Sequence, residues 1–598
     1  MKTTAVFDTE VYENYFLIAF MNVVTGRVTS FEMYAGKPFT NEELDTLRKI
    51  FKSVRLVGFN SINFDLPIIS YALAGANNSQ IKEMCDAIIA TNLRPWQLED
   101  KFKFKIIKSV DHIDLIEVAP GVASLKIYAG RMHAPKMQDL PIAPETLIAD
   151  HERPTLREYC ANDLAATRML FEKLTAQIEL REKMGEQYGQ DLRSKSDAQI
   201  AEAVIKSQVE ALTGEQLRRA ELDHTFEAKY IAPDFLMRGT PIVGPIIDSI
   251  EAMSFYINDA GKIIEPDAFK NMTVAIGGSV YRMGIGGLHS SEKKISHYAD
   301  EDTILVDRDV ASYYPAIILR SGLAPENMKD QFQSVYKRIV DQRLAAKHSG
   351  DKVAADTLKI TINGSFGKFG SKWSVLYGPR LLIQTTITGQ LALLQLIEML
   401  ETAAIPVVSA NTDGIVIKCP AERVGQMDNT IGAWELLTDF ETEATYYASI
   451  HSRDVNNYCA IKRDGGFKAK GVYAPAGLQK NPTAEICIGA VIKFLADGTP
   501  VATTIENCED IAKFVSIRTV RGGALDQGGE YLGKAVRWYY STEVSDPITY
   551  KINGYKVPTS DAARAAMELP LSVPNDLDRD WYTNKSLAML KEMGVEYA

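Results

Sequence analysis

The first sixty residues alternate apolar and polar positions in short runs, and residues 5–7, 16–21 and 28–33 read as strands. Thr40 and Glu43 then form a capping-box signature ahead of a helix carrying Leu44, Leu47, Ile50 and Phe51. Residues 55–59 predict another strand, and the chain turns helical from Leu66. A helical period over 155–174 places Tyr159 and Asp163 on one face. A polar stretch at 190–197 precedes a periodic helix with Ile200, Val204, Ile205 and Val209, and the pattern then stays weak to about residue 270. Glycines punctuate a hairpin-like stretch over 276–289.

Two apolar runs in the middle of the chain end in acids. The strand at 303–306 leads to Asp309, and the strand at 406–410 leads to Asn411-Thr412-Asp413-Gly414. Between them, residues 335–347 are helical by period, and Lys359 opens an antiparallel partner helix that also carries Asn363 and Phe366. Further on, 456–461 is strand-like, Gly465-Gly466 marks a turn, and Lys468 and Lys470 share one face of the next strand. Helices are expected at 484–495 and 508–516. The cluster Lys534, Arg537, Trp538 and Tyr540 is expected on a third helix, after a basic, flexible stretch at 518–523.

Composition changes this picture little. A chain of 598 residues suggests about four domains. The net charge of -11, from 66 basic and 77 acidic residues, argues against a nucleic-acid partner unless the basic groups line one channel. The six cysteines are scattered without a Cys-x-x-Cys pair, which disfavours a zinc module and a disulfide framework. No run of eighteen apolar residues and no signal-peptide pattern is present, so a cytoplasmic protein without a membrane span is expected.

Asp309 and Asp413 at two strand ends, with a cationic helix between, suit phosphoryl transfer assisted by two hard cations. A second set lies upstream: Asp8 and Glu10 on the first strand, Asp65 after a later strand, and Tyr159 with Asp163 on a helix. This ordered set resembles the three motifs of DEDDy 3'→5' exonucleases. Asp309-x-x-Ser312-x-Tyr314-Pro315, Lys359-x-x-x-Asn363 and Thr412-Asp413 resemble motifs A, B and C of family B DNA polymerases, of the compact bacteriophage-like type.

The resemblance implies an α/β multidomain fold, with a ribonuclease H-like exonuclease domain at 1–185 and a connecting, template-binding region at 186–300. A right-hand polymerase would follow, with palm at 301–325 and 376–473, fingers at 326–375 and thumb at 474–598. It implies DNA-directed extension of a primer and proofreading at a separate site. The cofactor is magnesium, with manganese as the alternative, as two ions in each active centre. Asp8, Glu10, Asp65 and Asp163 would hold one pair and Tyr159 would orient the attacking water. Asn60, Phe64, Ser124 and Leu125 would hold a single-stranded 3' end, although Ser124-Leu125 reads equally well as a plain helix start. Asp309, Asp413 and the Val310 carbonyl would hold the second pair. Arg343, Lys347, Lys359 and Asn363 would bind the triphosphate, Tyr314 the sugar, and Lys470 the primer.

The implied partners are primer–template DNA, deoxynucleoside triphosphates, and a single-strand-binding protein or processivity factor. Host-cell cytoplasm is the implied location if a phage encodes the chain. Tyr281, Gly286 and Gly287 loosely resemble a template-contacting motif, and a turn-rich hairpin is the other reading. Three positions depart from the family: Tyr313 for leucine, Phe366 for tyrosine and Asn411 for aspartate. The short intervals from Asp309 to Arg343 and from Gly367 to Asn411 leave little room for the insertions of protein-primed members, so an ordinary nucleic-acid primer is expected. Two other readings stay open: a primase-polymerase, and an exonuclease with a DNA-binding scaffold.

Overall fold

The structure, a computed structural model, describes every residue except Met1, Ala35, 221–225 and Ala598. The chain divides into two compact units. The first comprises Met1–Ser196, Ala476–Ile486 and Glu506–Tyr582, and the second comprises Asp197–Pro475, Cys487–Ile505 and Thr583–Ala598.

In the first unit, strands Thr4–Tyr12, Tyr15–Asn22 and Val28–Tyr34 form an antiparallel meander. Strands Arg55–Gly58 and His112–Asp114 then add in parallel to the other edge of Thr4–Tyr12. Tyr15–Asn22 is buried on both faces, because helices cover the sheet and both faces need apolar residues. Thr40 and Glu43 make the reciprocal capping box in front of helix Asn41–Ser53. Helix Arg153–Lys173 lies against the first strand and buries Tyr159, Cys160 and Asp163 along with its leucines.

A four-stranded antiparallel sheet completes this unit, built from Ser516–Leu525, Tyr531–Tyr540, Thr549–Tyr550 and Ala563–Ala565. Here the sequence expectation fails. Lys534, Arg537, Trp538 and Tyr540 lie on a strand, not a helix, and the helix expected over 508–516 is a single 3-10 turn, Ile511–Lys513. Residues 535–540 are buried on both faces and show no alternation, so period alone does not tell this strand from a buried helix. Arg537 is fully buried and donates to the carbonyls of Ala134, Pro135, Ala566 and Met567. It pins the C-terminal sheet to the segment around Ala134.

The second unit is built on a ten-stranded sheet. Its central strand, Thr303–Val310, pairs antiparallel with Gly414–Pro420 on one side and Thr442–Asp454 on the other. Helix Pro379–Thr402 is long and apolar enough to cross a membrane, but 89% of its most apolar window is buried inside the unit. It is the core helix beside this sheet, in one cluster with Val306, Val310, Ile415 and Ile417. Three helices, Asp197–Thr213, Lys329–Ser349 and Lys352–Phe369, pack together around Ile205, Phe332, Tyr336, Leu358 and Ile362. Gly364 lets the first and third of these helices touch, since a Cβ there would lie 2.4 Å from the Asp197 carbonyl oxygen.

Burial pushes the Arg537 guanidinium down to about 10, so it remains charged at neutral pH and depends on its carbonyl partners. Arg537→Met strands those carbonyls. It is expected to destabilise the first unit by about 2–4 kcal/mol, read as a lower melting transition, whereas Lys534→Ala, at an exposed position, leaves the transition in place.

Candidate active sites

The first site assembles on the parallel edge of the five-stranded sheet. Asp8 and Glu10 leave the same face of strand Thr4–Tyr12. Gly58 ends the neighbouring strand, and a Cβ there would lie 2.3 Å from the Ser61 hydroxyl oxygen, so only glycine lets the following loop fold back. Asn60 takes a left-handed conformation, φ +59°. The buried Asp114 carboxylate accepts the backbone N–H groups of Asn60 and Ile62 at 2.8 and 2.9 Å and fixes the loop. Asp65 follows at the first turn of helix Asp65–Leu73 and accepts the Thr9 hydroxyl at 2.6 Å. Phe64 precedes it and packs part of its ring on the apolar cluster behind.

Tyr159 and Asp163 come from helix Arg153–Lys173, one turn apart as the sequence predicted. Lys126, which the sequence reading passed over, completes the group. Its ammonium binds Asp163 and lies 4.3 Å from the centre of the Tyr159 ring. Ser124 caps helix Leu125–Arg131 by accepting the Ile127 N–H, so Ser124 and Leu125 set the helix that presents Lys126. A lysine in the first turn of a serine-capped helix was the available signal.

Four carboxylates share one cation here. Burial, then mutual repulsion, raises Asp8 and Glu10 well above the usual carboxylate range, and burial pushes Asp65 up to about 7. Asp163 is raised by burial, with Lys126 opposing. The Tyr159 phenol is raised by burial and by Asp163, so it keeps its proton. Oxygen donors with uncompensated charge fit a hard divalent cation. The Cys160 sulfur is grouped with Asp8 and Glu10, their ligand atoms within 4.8 Å of one another. Sulfur is a soft donor that matches a hard cation poorly, so the carboxylate oxygens are the fitting ligands.

The second site lies at one end of the ten-stranded sheet. Asp309 sits opposite Gly414, and the Val310 N–H donates to the Asp413 carbonyl at 2.8 Å. That pairing sets Asp309 and Asp413 side by side. A Cβ on Gly414 would lie 2.1 Å from an Asp309 carboxylate oxygen, so a side chain there would push that carboxylate out of place. Ser312 and Thr412, neither of them glycine, adopt left-handed backbones, φ +51° and +66°, on either side of the acid pair. Such strain persists where surrounding structure imposes it and clusters at functional sites. The cleft walls and the neighbouring Asp309 raise the Asp413 carboxyl.

A cleft of about 730 Å³ opens beside Asp309 and is lined by Ser312, Arg343, Lys347, Lys359 and Glu443. This is within the roughly 300–1,000 Å³ of small-molecule sites. Arg343 donates to the Ser312 hydroxyl, and Lys347 pairs with Glu443 at 2.6 Å. Lys359 and Asn363 lie one turn apart on the exposed face of helix Lys352–Phe369. The Tyr314 ring stacks on Phe366, centroids 4.2 Å apart and planes within 8°.

The three departures each have a local cause. Tyr313 is buried, its hydroxyl donates to the Gly389 carbonyl at 2.5 Å, and its larger ring fits because residue 389 lacks a side chain. Phe366 supplies a flat face to Tyr314. The Asn411 amide donates to the Val455 carbonyl at 2.7 Å, which an aspartate could not do. Gly287 packs on the Asn411–Gly414 turn, where a Cβ would meet the Thr412 hydroxyl oxygen at 2.3 Å, and Tyr281 is fully buried within a hairpin. On the far side, Lys468 and Lys470 border a pocket with Asp309 and Asp413. Burial lowers the Lys470 ammonium, with Asp413 opposing.

Burial and its neighbours hold Asp65 near 7 in the fold against an ordinary 3.8. Its ionisation therefore opposes folding, in full above about pH 7; the penalty shrinks as pH falls from 7 towards 4 and is absent below. With divalent cations chelated, Asp65→Asn is expected to stabilise the protein at pH 8 by on the order of 2 kcal/mol. The gain should disappear at pH 4, as thermal melts at the two pH values would show.

No protein-family model matches the chain. No curated protein matches it either. The structure of the family B DNA polymerase from the hyperthermophilic archaeon Pyrobaculum calidifontis aligns with 100% of this chain and 79% of its own, at 15% identity and a TM-score of 0.43.

Proposed function

We propose that the protein is a template-directed DNA polymerase of the family B kind that also removes mispaired 3' ends at a second site. The observation that carries this reading is the pairing of Asp309 with Asp413 at the mouth of a cleft whose other walls carry Arg343, Lys347 and Lys359. A pair of carboxylates facing a cluster of cations matches what nucleotidyl transfer needs: hard cations at the reacting oxygens and fixed positive charge on the triphosphate. The family's motif order in the sequence supports the same assignment.

In this reading Asp309, Asp413 and the Val310 carbonyl hold magnesium, with manganese as the alternative. When bound, the cations acidify the primer 3'-hydroxyl and neutralise charge on the transferring phosphoryl group. Arg343, Lys347 and Lys359 bind the triphosphate. Lys347 exchanges Glu443 for a phosphate as it does so. Tyr314, backed by Phe366, forms a flat floor for the sugar, and Lys470 contacts the primer strand. The ten-stranded sheet is then the palm, and the helices Lys329–Ser349 and Lys352–Phe369 are the fingers.

In the first unit Asp8, Glu10, Asp65 and Asp163 hold the second pair of cations, and Tyr159 orients a water for hydrolysis. Lys126 holds Asp163 and offers positive charge to the scissile phosphate. Asn60 and Phe64 stand where a frayed 3' end would pass. The sheet order, antiparallel on one side of Thr4–Tyr12 and parallel on the other, supports the ribonuclease H-like reading of this unit.

The test uses a 5'-labelled primer on a longer template with magnesium, with and without nucleotides. Asp309→Ala is expected to lower extension by about a thousandfold or more and to leave shortening intact. Asp8→Ala is expected to do the reverse. Shortening without extension by the unmodified protein would overturn the polymerase assignment in favour of an exonuclease on a DNA-binding scaffold.

A further inference from the structure

The central strand carries a second acid that the two-cation scheme leaves unused. Asp307 lies two residues before Asp309, so both side chains leave the same face. Their surroundings differ: the Asp307 side chain is 6% exposed and that of Asp309 is 44%. Asp307 accepts the Tyr447 hydroxyl from the neighbouring strand and takes the Lys468 ammonium at 2.8 Å. The same ammonium lies 3.1 Å from Asp309. One cation thus bridges a buried carboxylate and the open carboxylate that a divalent ion needs.

That bridge poses a competition. An ammonium bound to Asp309 alone would either block cation binding or be displaced into solvent. Asp307 supplies a third outcome. Its Oδ2 takes both the Tyr447 hydroxyl and the Lys468 ammonium, and parting it from Lys468 would strand a buried charge, which is unfavourable. A divalent ion can therefore displace Lys468 from Asp309 without removing it from the site. The retained ammonium stays in the pocket of about 280 Å³ that it shares with Asp413 and Lys470, where an anionic strand would gain from it.

We propose that Asp307 is a positioning residue for Lys468: it draws the ammonium off Asp309 when a divalent cation binds and keeps it in place for a backbone phosphate of the primer strand. This rests on the polymerase reading of the site.

The test is a mutant cycle in the full-length chain, with Asp8→Ala throughout to weaken cation binding at the other site. Manganese binding is followed by the electron paramagnetic resonance of free Mn2+, and extension is followed as magnesium is varied. Asp307→Asn keeps the shape and the Tyr447 contact but releases Lys468 to Asp309. It is expected to raise the half-saturating cation concentration about five- to tenfold in both measurements. Lys468→Met added to it should restore cation binding, because the competitor is gone, while KM for primer–template stays high. A folding defect would not be reversed in this way. Parent-like cation binding by Asp307→Asn, or a double variant as weak as Asp307→Asn, would overturn the proposal. If manganese binding follows the cycle but no form extends a primer, the Asp307–Lys468 coupling stands and the polymerase reading fails.

Discussion

The backbone hydrogen bond from Val310 to Asp413 is the constraint on which the second unit depends. It closes the pairing of strand Thr303–Val310 with Gly414–Pro420 and brings together two acids that are 104 residues apart in the chain. Neither strand end is free to move. Ser312 turns left-handed into the next helix, Thr412 turns left-handed into the hairpin, and Gly414 leaves no side chain against Asp309. The acids are held close although like charges repel, and burial first, then the neighbouring Asp309, raises the Asp413 carboxyl.

The two sites solve one problem differently. In the first unit four carboxylates are desolvated together, and Lys126 is their shared cation. In the second the acids face an open cleft, and cations stand around them on other elements: Arg343 and Lys347 on one helix, Lys359 on the next, Lys468 and Lys470 across the sheet.

Packing accounts for the residues at 313 and 411. Tyr313 is tolerated because Gly389 leaves room and accepts its hydroxyl proton. Asn411 is a donor to the Val455 carbonyl, so the amide has a task that a carboxylate could not perform.

Local pattern alone determined much of this protein. Strand and helix periods located the elements that carry Asp8, Asp65, Asp163, Asp309 and Asp413, and the i,i+4 spacing placed Tyr159 with Asp163; Lys359, expected to open its helix, lies inside helix Lys352–Phe369. These are short-range properties of a chain with one solvated face per element. Tertiary structure decided the rest. In strand Tyr531–Tyr540 both faces of residues 535–540 are covered, which erases the alternation that would have identified it. Lys126, Asp114 and Asp307 acquire their partners only when segments far apart in sequence meet. Sequence period reports which face of an element is buried, but not which charged group from another element will be waiting there.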